Sequence, residues 1–257
     1  MRERSSFILK VAARIKWKTK MRSPLVISYE NETYYPQALQ LAARLGLEVS
    51  NDGEYRLHCS ENGLFLCVPG FSPIQPCFTS KALLARVQAG KKQGLVRACQ
   101  PHVGQTILDL TAGWGQESTI LASLGAKVTM LERHPYLAIL LEDALRRADK
   151  SWSLTLIQAE AADYLQQLSG EDYPEVIYMD PMHPARKKSA LVKKPMQILQ
   201  GFIPPNDDVE TLIRLARSRV KQRVVVKWPS SEAPIIPYDY TIEEKTVRFD
   251  VYRGLCF

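Results

Sequence analysis

The apolar positions along the chain change their period in a regular way. Ile107, Leu108 and Leu110 around Asp109 have the density of a short buried strand. From Gln116 the spacing turns helical, with Ile120, Leu121 and Leu124 on one face until Gly125 stops it. A second strand, Lys127 to Leu131, ends in Glu132. Pro135 then opens a helix whose Leu137, Leu140, Leu141, Ala144 and Leu145 face inward. Leu154 to Ile157 reads as a third strand with a helix beyond Asp163, and Val176 to Met179 as a fourth strand. A helix from Asp207 to Arg219 precedes the buried strand Arg223 to Lys227. Tyr240–Glu244 and Thr246–Tyr252 close the chain as two strands without a long crossover, which predicts one antiparallel partner near a sheet edge. Such alternation specifies an α/β fold, a mostly parallel sheet with helices on both faces.

The part before this alternation has a different rhythm. Ser23–Glu30 reads as a strand, and Pro36 opens a helix with Ala38, Leu41, Ala42 and Leu45 at helical spacing, capped by Gly46. Tyr55–Cys59 and Leu64–Val68 alternate around Glu61-Asn62-Gly63, a hairpin signal. Residues 23–78 therefore form a small α+β module before a main domain at 79–257. Thr79–Cys99 is helical by Leu83, Leu84, Val87 and Leu95, with Gly90 and Gly94 predicting a break. Its Lys81, Arg86, Lys91, Lys92 and Arg97 read as a solvated face.

Composition changes this picture in two places. The net charge of +7 sits entirely in residues 1–22, which hold eight basic residues and one acid, Glu3, leaving the other 235 residues neutral. This basic extension fits an RNA-contacting arm, a targeting peptide without a clear cleavage context, or an upstream extension with Met21 as the working start; the latter two together are favoured. The five cysteines are never spaced as Cys-x-x-Cys, which argues against a zinc site and for free thiols in a reducing cytoplasm. No apolar run reaches about 18 residues, so no membrane span and no membrane partner are expected.

The chemistry begins in the turn after the first strand of the main domain. Gly113 and Gly115 flank Trp114 where the chain needs positive φ, and Glu132 closes the next strand where a carboxylate can hold two ribose hydroxyls. A third glycine for a pyrophosphate is missing, and no Lys follows as in a phosphate loop. The run Asp109-Leu110-Thr111-Ala112-Gly113-Trp114-Gly115 with Glu132 resembles the S-adenosylmethionine site of Rossmann-like methyltransferases. That resemblance implies a seven-stranded sheet and a turn passing under the methionine part of the cofactor. In such enzymes the loop after the third strand meets the adenine, which makes Glu160 and Ala161 candidates; a helix N-terminal carboxylate is the equal alternative for Glu160.

Asp180-Pro181-Met182-His183 follows the fourth strand, so it shares the sheet's switch-point crevice with the glycine turn. It resembles the Asp/Asn-Pro-Pro-Tyr/Phe motif of enzymes that methylate exocyclic base amines. The lone pair of such an amine is conjugated with the ring and poorly nucleophilic. Acceptors for its hydrogens, Asp180 and the Pro181 carbonyl, raise its electron density and aim it. His183 stands where the motif carries a stacking aromatic; it can stack and it also titrates. Arg186, Lys187, Lys188, Lys193 and Lys194 beside this pocket fit a nucleic-acid backbone contact.

Taken together, the DLTAGWG turn, YMDPMHP followed by KKSALVKK, RVVVKWP and the terminal RFDVYRG resemble the bacterial small-subunit ribosomal RNA guanine-N2 methyltransferases, the RsmJ family, over residues 80–254. The resemblance implies S-adenosylmethionine as cofactor, contacts at Gln116, Glu117, Glu132, Arg133, Glu160, Ala161 and Asp180, and no metal. It also implies 16S ribosomal RNA or the small subunit as partner, in the cytoplasm; it leaves the oligomeric state open. The family usually has Arg-Asp at Gln116-Glu117, Ser-Ser at Glu160-Ala161 and Phe at His183. Two rivals are DNA adenine-N6 or cytosine-N4 methylation, against which the lack of a large target-recognition domain counts, and a non-catalytic RNA-binding assembly factor of the same fold, against which Asp180-Pro181 counts.

Overall fold

The computed structural model describes residues 24–149, 151–181 and 208–255. Its first strands, β1 (Leu25–Tyr29), β2 (Tyr55–Ser60) and β3 (Gly63–Cys67), form a three-stranded sheet. The β2–β3 hairpin turns at Gly63, whose φ of 102° suits glycine. Strand β1 pairs parallel to β2, so the chain must cross over between them. Helix α1 (Tyr35–Leu45) makes that crossover and ends at Gly46 in the left-handed region. The hydrophobic pattern predicted each element but not this parallel pairing. The sheet buries Ile27, Leu57, Leu64 and Leu66 against Ala38 and Ala42 of α1 and against Leu137, Ile139 and Leu140 of the helix Pro135–Arg147. Its core is thus shared with the main fold.

Helices α2 (Lys81–Ala89) and α3 (Gly94–Cys99) flank a 3-10 turn at Gly90–Lys92, where the glycines predicted a break. Then follow β4 (Thr106–Asp109), α4 (Gln116–Ser123), β5 (Lys127–Glu132), α5 (Pro135–Arg147), β6 (Leu154–Gln158), α6 (Ala161–Gln167), β7 (Val176–Met179), α7 (Val209–Arg217), β8 (Arg223–Pro229), β9 (Tyr240–Glu243) and β10 (Val247–Arg253). Seven of these strands make one sheet in the order β6-β5-β4-β7-β8-β10-β9. All neighbours are parallel except β10, which runs antiparallel to both β8 and β9, one strand in from the edge.

Both faces of the sheet are covered, as a parallel sheet requires. Ile107, Val176, Tyr178 and Val225 pack with Leu83, Leu95, Ile120 and Leu121 on one side. Leu108, Ile177, Met179, Val224 and Val226 pack with Leu165, Leu212, Ile213 and Ala216 on the other. Asp208 caps α7 by accepting from Thr211 N at 2.9 Å. The strand order reverses between β4 and β7, so the crevice above their carboxyl ends is where this architecture binds ligands. Among the described residues, no helix is long and apolar enough to cross a membrane.

Candidate functional site

The turn from β4 into α4 is held from inside. Asp109, 1% exposed, accepts from Thr111 N at 2.9 Å with one carboxylate oxygen and from Ser118 Oγ at 2.5 Å with the other. Burial pushes its carboxyl up to about 7 against those two hydrogen bonds. Its bonds run to the turn and to α4, so it braces the site. Glu132, at the end of β5, accepts from Gly113 N at 3.1 Å and from His134 N at 2.7 Å. It too is driven up to about 7 by burial. Each of its oxygens keeps a lone pair beyond these bonds, so the carboxylate can still receive hydroxyl donors.

The two glycines of the turn serve different ends. A Cβ on Gly115 (φ 70°) would meet Phe78 at 2.9 Å and Leu141 at 3.0 Å, so close packing requires glycine there. A Cβ on Gly113 (φ 54°) would meet nothing nearer than the Thr111 carbonyl at 3.7 Å. Space beside a left-handed glycine, next to a carboxylate that can take ribose hydroxyls, is what a close-lying nucleoside cofactor needs.

Across the crevice, the parallel register pairs Met179 of β7 with Val226 of β8, which sets the next residues, Asp180 and Lys227, side by side. Asp180 N donates to Thr111 Oγ1 at 2.6 Å, tying the end of β7 to the glycine turn. Lys227 Nζ lies 2.6 Å from Asp180 Oδ2 and 3.6 Å from Glu117 Oε1. The same Glu117 oxygen accepts from Arg86 at 3.2 Å, and Gln116 Oε1 accepts from that guanidinium at 3.5 Å. Burial raises the Glu117 carboxyl, but Lys227 and Arg86 outweigh it and hold it below the ordinary range. Lys227 is kept above its usual value because Asp180 and Glu117 overcome its own burial. Asp180 is raised by burial and by Glu117, against the pull of Lys227.

The sequence placed Arg86 on a solvated face; it lies instead in this network. Lys227 had no role in the sequence beyond its motif. Neither carries a local signal, because what defines them is contact with Glu117 and Asp180, remote in sequence. At the other end of the crevice, Glu160 makes no capping bond to its helix and pairs with Arg133 at 3.6 Å, while Ala161 is buried in the core under α6. Beyond β8, Arg248 donates to the carbonyls of Pro229 at 3.1 Å and Glu232 at 2.7 Å, bracing the turn after that strand. Pro181 is buried beside Asp180. His183, Arg186, Lys187, Lys188, Lys193 and Lys194 lie outside the described residues. Among the described residues, no cluster of three or more His, Cys, Asp or Glu could hold a metal ion.

This sheet order, with a glycine turn and an acidic strand end facing an Asp-Pro turn, defines a methyltransferase that uses S-adenosylmethionine. Residues 40–254 match the family model described as putative SAM-dependent methyltransferase. The crystal structure of a SAM-dependent methyltransferase from Neisseria gonorrhoeae matches with a TM-score of 0.70 and 26% identity, over 90% of this chain and 96% of that one. A ribosomal RNA small subunit methyltransferase J from Legionella pneumophila (strain Corby) is 46% identical over 230 residues, 88% of this chain and 95% of the relative. One from Coxiella burnetii is 39% identical over 250 residues, 90% of this chain and 98% of the relative. The chain belongs to the ribosomal RNA small subunit methyltransferase J family.

Proposed function

We propose that this enzyme methylates the exocyclic N2 of a guanine in small-subunit ribosomal RNA. The relatives' name supports the RNA; the observation that carries the chemistry is Asp180, fixed by Thr111 Oγ1 at the carboxyl end of β7 beside the glycine turn. Glu132 would hold the ribose hydroxyls, and the backbone at Gly113 would run beneath the methionine part. Gln116, Glu117, Arg133, Glu160 and Ala161 border the same crevice in this reading. Bound there, S-adenosylmethionine supplies a methyl group on a cationic sulfur, with a neutral thioether as leaving group.

The protein's own part is to aim and polarise the amine. Asp180 accepts one N2 hydrogen and the Pro181 carbonyl the other, which fixes the nitrogen and enriches it in electron density. Fixing two reactants in line supplies most of the acceleration. As the nitrogen took the methyl group and the thioether left, its remaining hydrogens would become acidic enough for one to pass to water, so no strongly basic side chain is required. A paired or stacked guanine must first be turned out of its helix to reach Asp180. His183 would stack on it, and Arg186, Lys187, Lys188, Lys193 and Lys194 would anchor the backbone. The setting is the cytoplasm, where small subunits are assembled.

The test is mass spectrometry of nucleosides after wild-type enzyme and cofactor act on unmodified small-subunit RNA, with DNA in parallel. N2-methylguanosine in the RNA arm is expected; methyladenine or methylcytosine in the DNA arm would overturn the reading.

A further inference from the structure

We infer that Lys227 is a specificity-determining residue that reads O6 of the target guanine. This rests on the proposed guanine-N2 reaction and adds the group that distinguishes guanine from every other base. Asp180 and Lys227 leave β7 and β8 side by side and meet at 2.6 Å. The site therefore presents, in a row, a carboxylate oxygen, a second carboxylate oxygen and an ammonium: acceptor, acceptor, donor. Guanine alone among the bases has the complementary edge, N2–H donor, N1–H donor and O6 acceptor. Adenine offers a donor and an acceptor, cytosine a donor and two acceptors, uracil an acceptor, a donor and an acceptor. Asp180 would take N2–H and N1–H, and Lys227 would reach the oxygen next along the edge. The pair reproduces the hydrogen-bonding face that cytosine shows guanine in a base pair.

The surroundings of Lys227 fit this use. Its charge faces Asp180 at 2.6 Å and Glu117 at 3.6 Å, and Arg86 lies 3.2 Å from the same Glu117 oxygen. An ammonium has three hydrogens; Asp180 takes one in a hydrogen bond and Glu117 is an ion partner at 3.6 Å, which leaves at least one to donate. Asp180 has its backbone fixed by Thr111 without help from Lys227. The two acidic neighbours keep it protonated, hence always a donor.

The experiment compares guanine with 2-aminopurine, which keeps the 2-amine and lacks O6, placed at the nucleotide that the wild-type enzyme methylates. The wild type should prefer guanine in kcat/KM by more than about a hundredfold, because the analogue lacks both O6 and N1–H and each base-edge contact to a charged group is worth about tenfold to a hundredfold. Lys227→Met should lose about tenfold to a hundredfold of that preference, the share due to O6, by falling on guanine much more than on 2-aminopurine. N1 is also altered in the analogue and faces Asp180, which touches Lys227; comparing Lys227→Met with Lys227→Gln, both uncharged, separates the lost donor from the lost charge. Lys227→Gln, whose amide can still donate, should keep part of the preference. Melting temperature and cofactor affinity of each variant show that it is folded. A wild type that makes N2-methylguanosine yet accepts 2-aminopurine equally well would overturn the inference and leave the reaction standing. Equal losses on both bases in a folded Lys227→Met would overturn it too, since a merely structural lysine predicts that. No N2-methylguanosine from the wild type on any form of the RNA would remove the proposed reaction, and this inference with it.

Discussion

At the scale of single residues, the site depends on carboxylates whose surroundings differ. Glu132 accepts two backbone N–H groups, and burial still pushes it up to about 7. Ribose hydroxyls need acceptors, so the ionised form binds them better. The sign follows: cofactor affinity should rise from about pH 6 to about pH 8 and then level off, because the carboxyl sheds its proton across that interval. Titrations of the wild type and Glu132→Gln across pH would check this. The variant should bind about tenfold or more weakly above neutrality, the loss of one charged hydrogen bond, with a flatter pH profile. An unchanged slope in the variant would assign the titration to another group. Asp180 and Glu132 were legible in sequence because each ends an apolar strand, where a carboxylate has a defined place above the sheet. Lys227 and Arg86 were not, since a lysine at a strand end and an arginine on a helix have many uses. Only the β7–β8 register and the packing of α2 near α4 bring them to Asp180 and Glu117.

At the scale of the element, the β4–α4 turn separates what holds the fold from what holds the ligand. Gly115→Ala forces a Cβ onto Phe78 at 2.9 Å in a left-handed conformation, and should cost about 2–4 kcal/mol of stability. Gly113→Ala makes only an ordinary contact with the Thr111 carbonyl at 3.7 Å, so the conformational cost of about 1–2 kcal/mol is what applies. Its larger effect should be on cofactor affinity, because the added methyl enters the room left beside the turn. Thermal melts paired with binding titrations on both variants check this, and the reverse ranking would contradict it. The sequence marked both glycines as a turn, yet the reason for each lies in what surrounds it. Phe78 and Leu141 come from distant segments, and no spacing rule within the turn announces them. Glu160 stands at the helix start, one of the two readings its position allowed, but its side chain makes no capping bond and pairs with Arg133, a partner that the local pattern does not announce.

At the scale of the whole molecule, the small N-terminal sheet and the main sheet share α5. Asp143 on that helix, 5% exposed, accepts from Leu64 N of β3 at 3.0 Å and from Arg147 at 2.8 Å. Asp143→Ala should lower stability by about 1–3 kcal/mol by leaving the Leu64 N–H without its acceptor. Arg44→Ala breaks a bridge to Glu142 whose two side chains are each 42% exposed, and should cost under about 1 kcal/mol. Denaturant melts of the two variants compare them directly. The α/β alternation, the strand order's antiparallel partner and the hairpin were readable from periodicity. The parallel β1–β2 pair and the docking of its sheet on α5 were not, because an amphipathic pattern says that a face is buried and not against what.

The central claim is that Asp180 aims a guanine amine at the methyl donor. The most direct measurement is the yield of N2-methylguanosine, by nucleoside mass spectrometry, when wild type and Asp180→Ala act in parallel on unmodified small-subunit RNA. Product from the wild type and a fall of about a hundredfold or more in a folded variant, both assayed at saturating cofactor, is the predicted result. An Asp180→Ala enzyme that methylates the same guanine at nearly the wild-type rate would contradict the account.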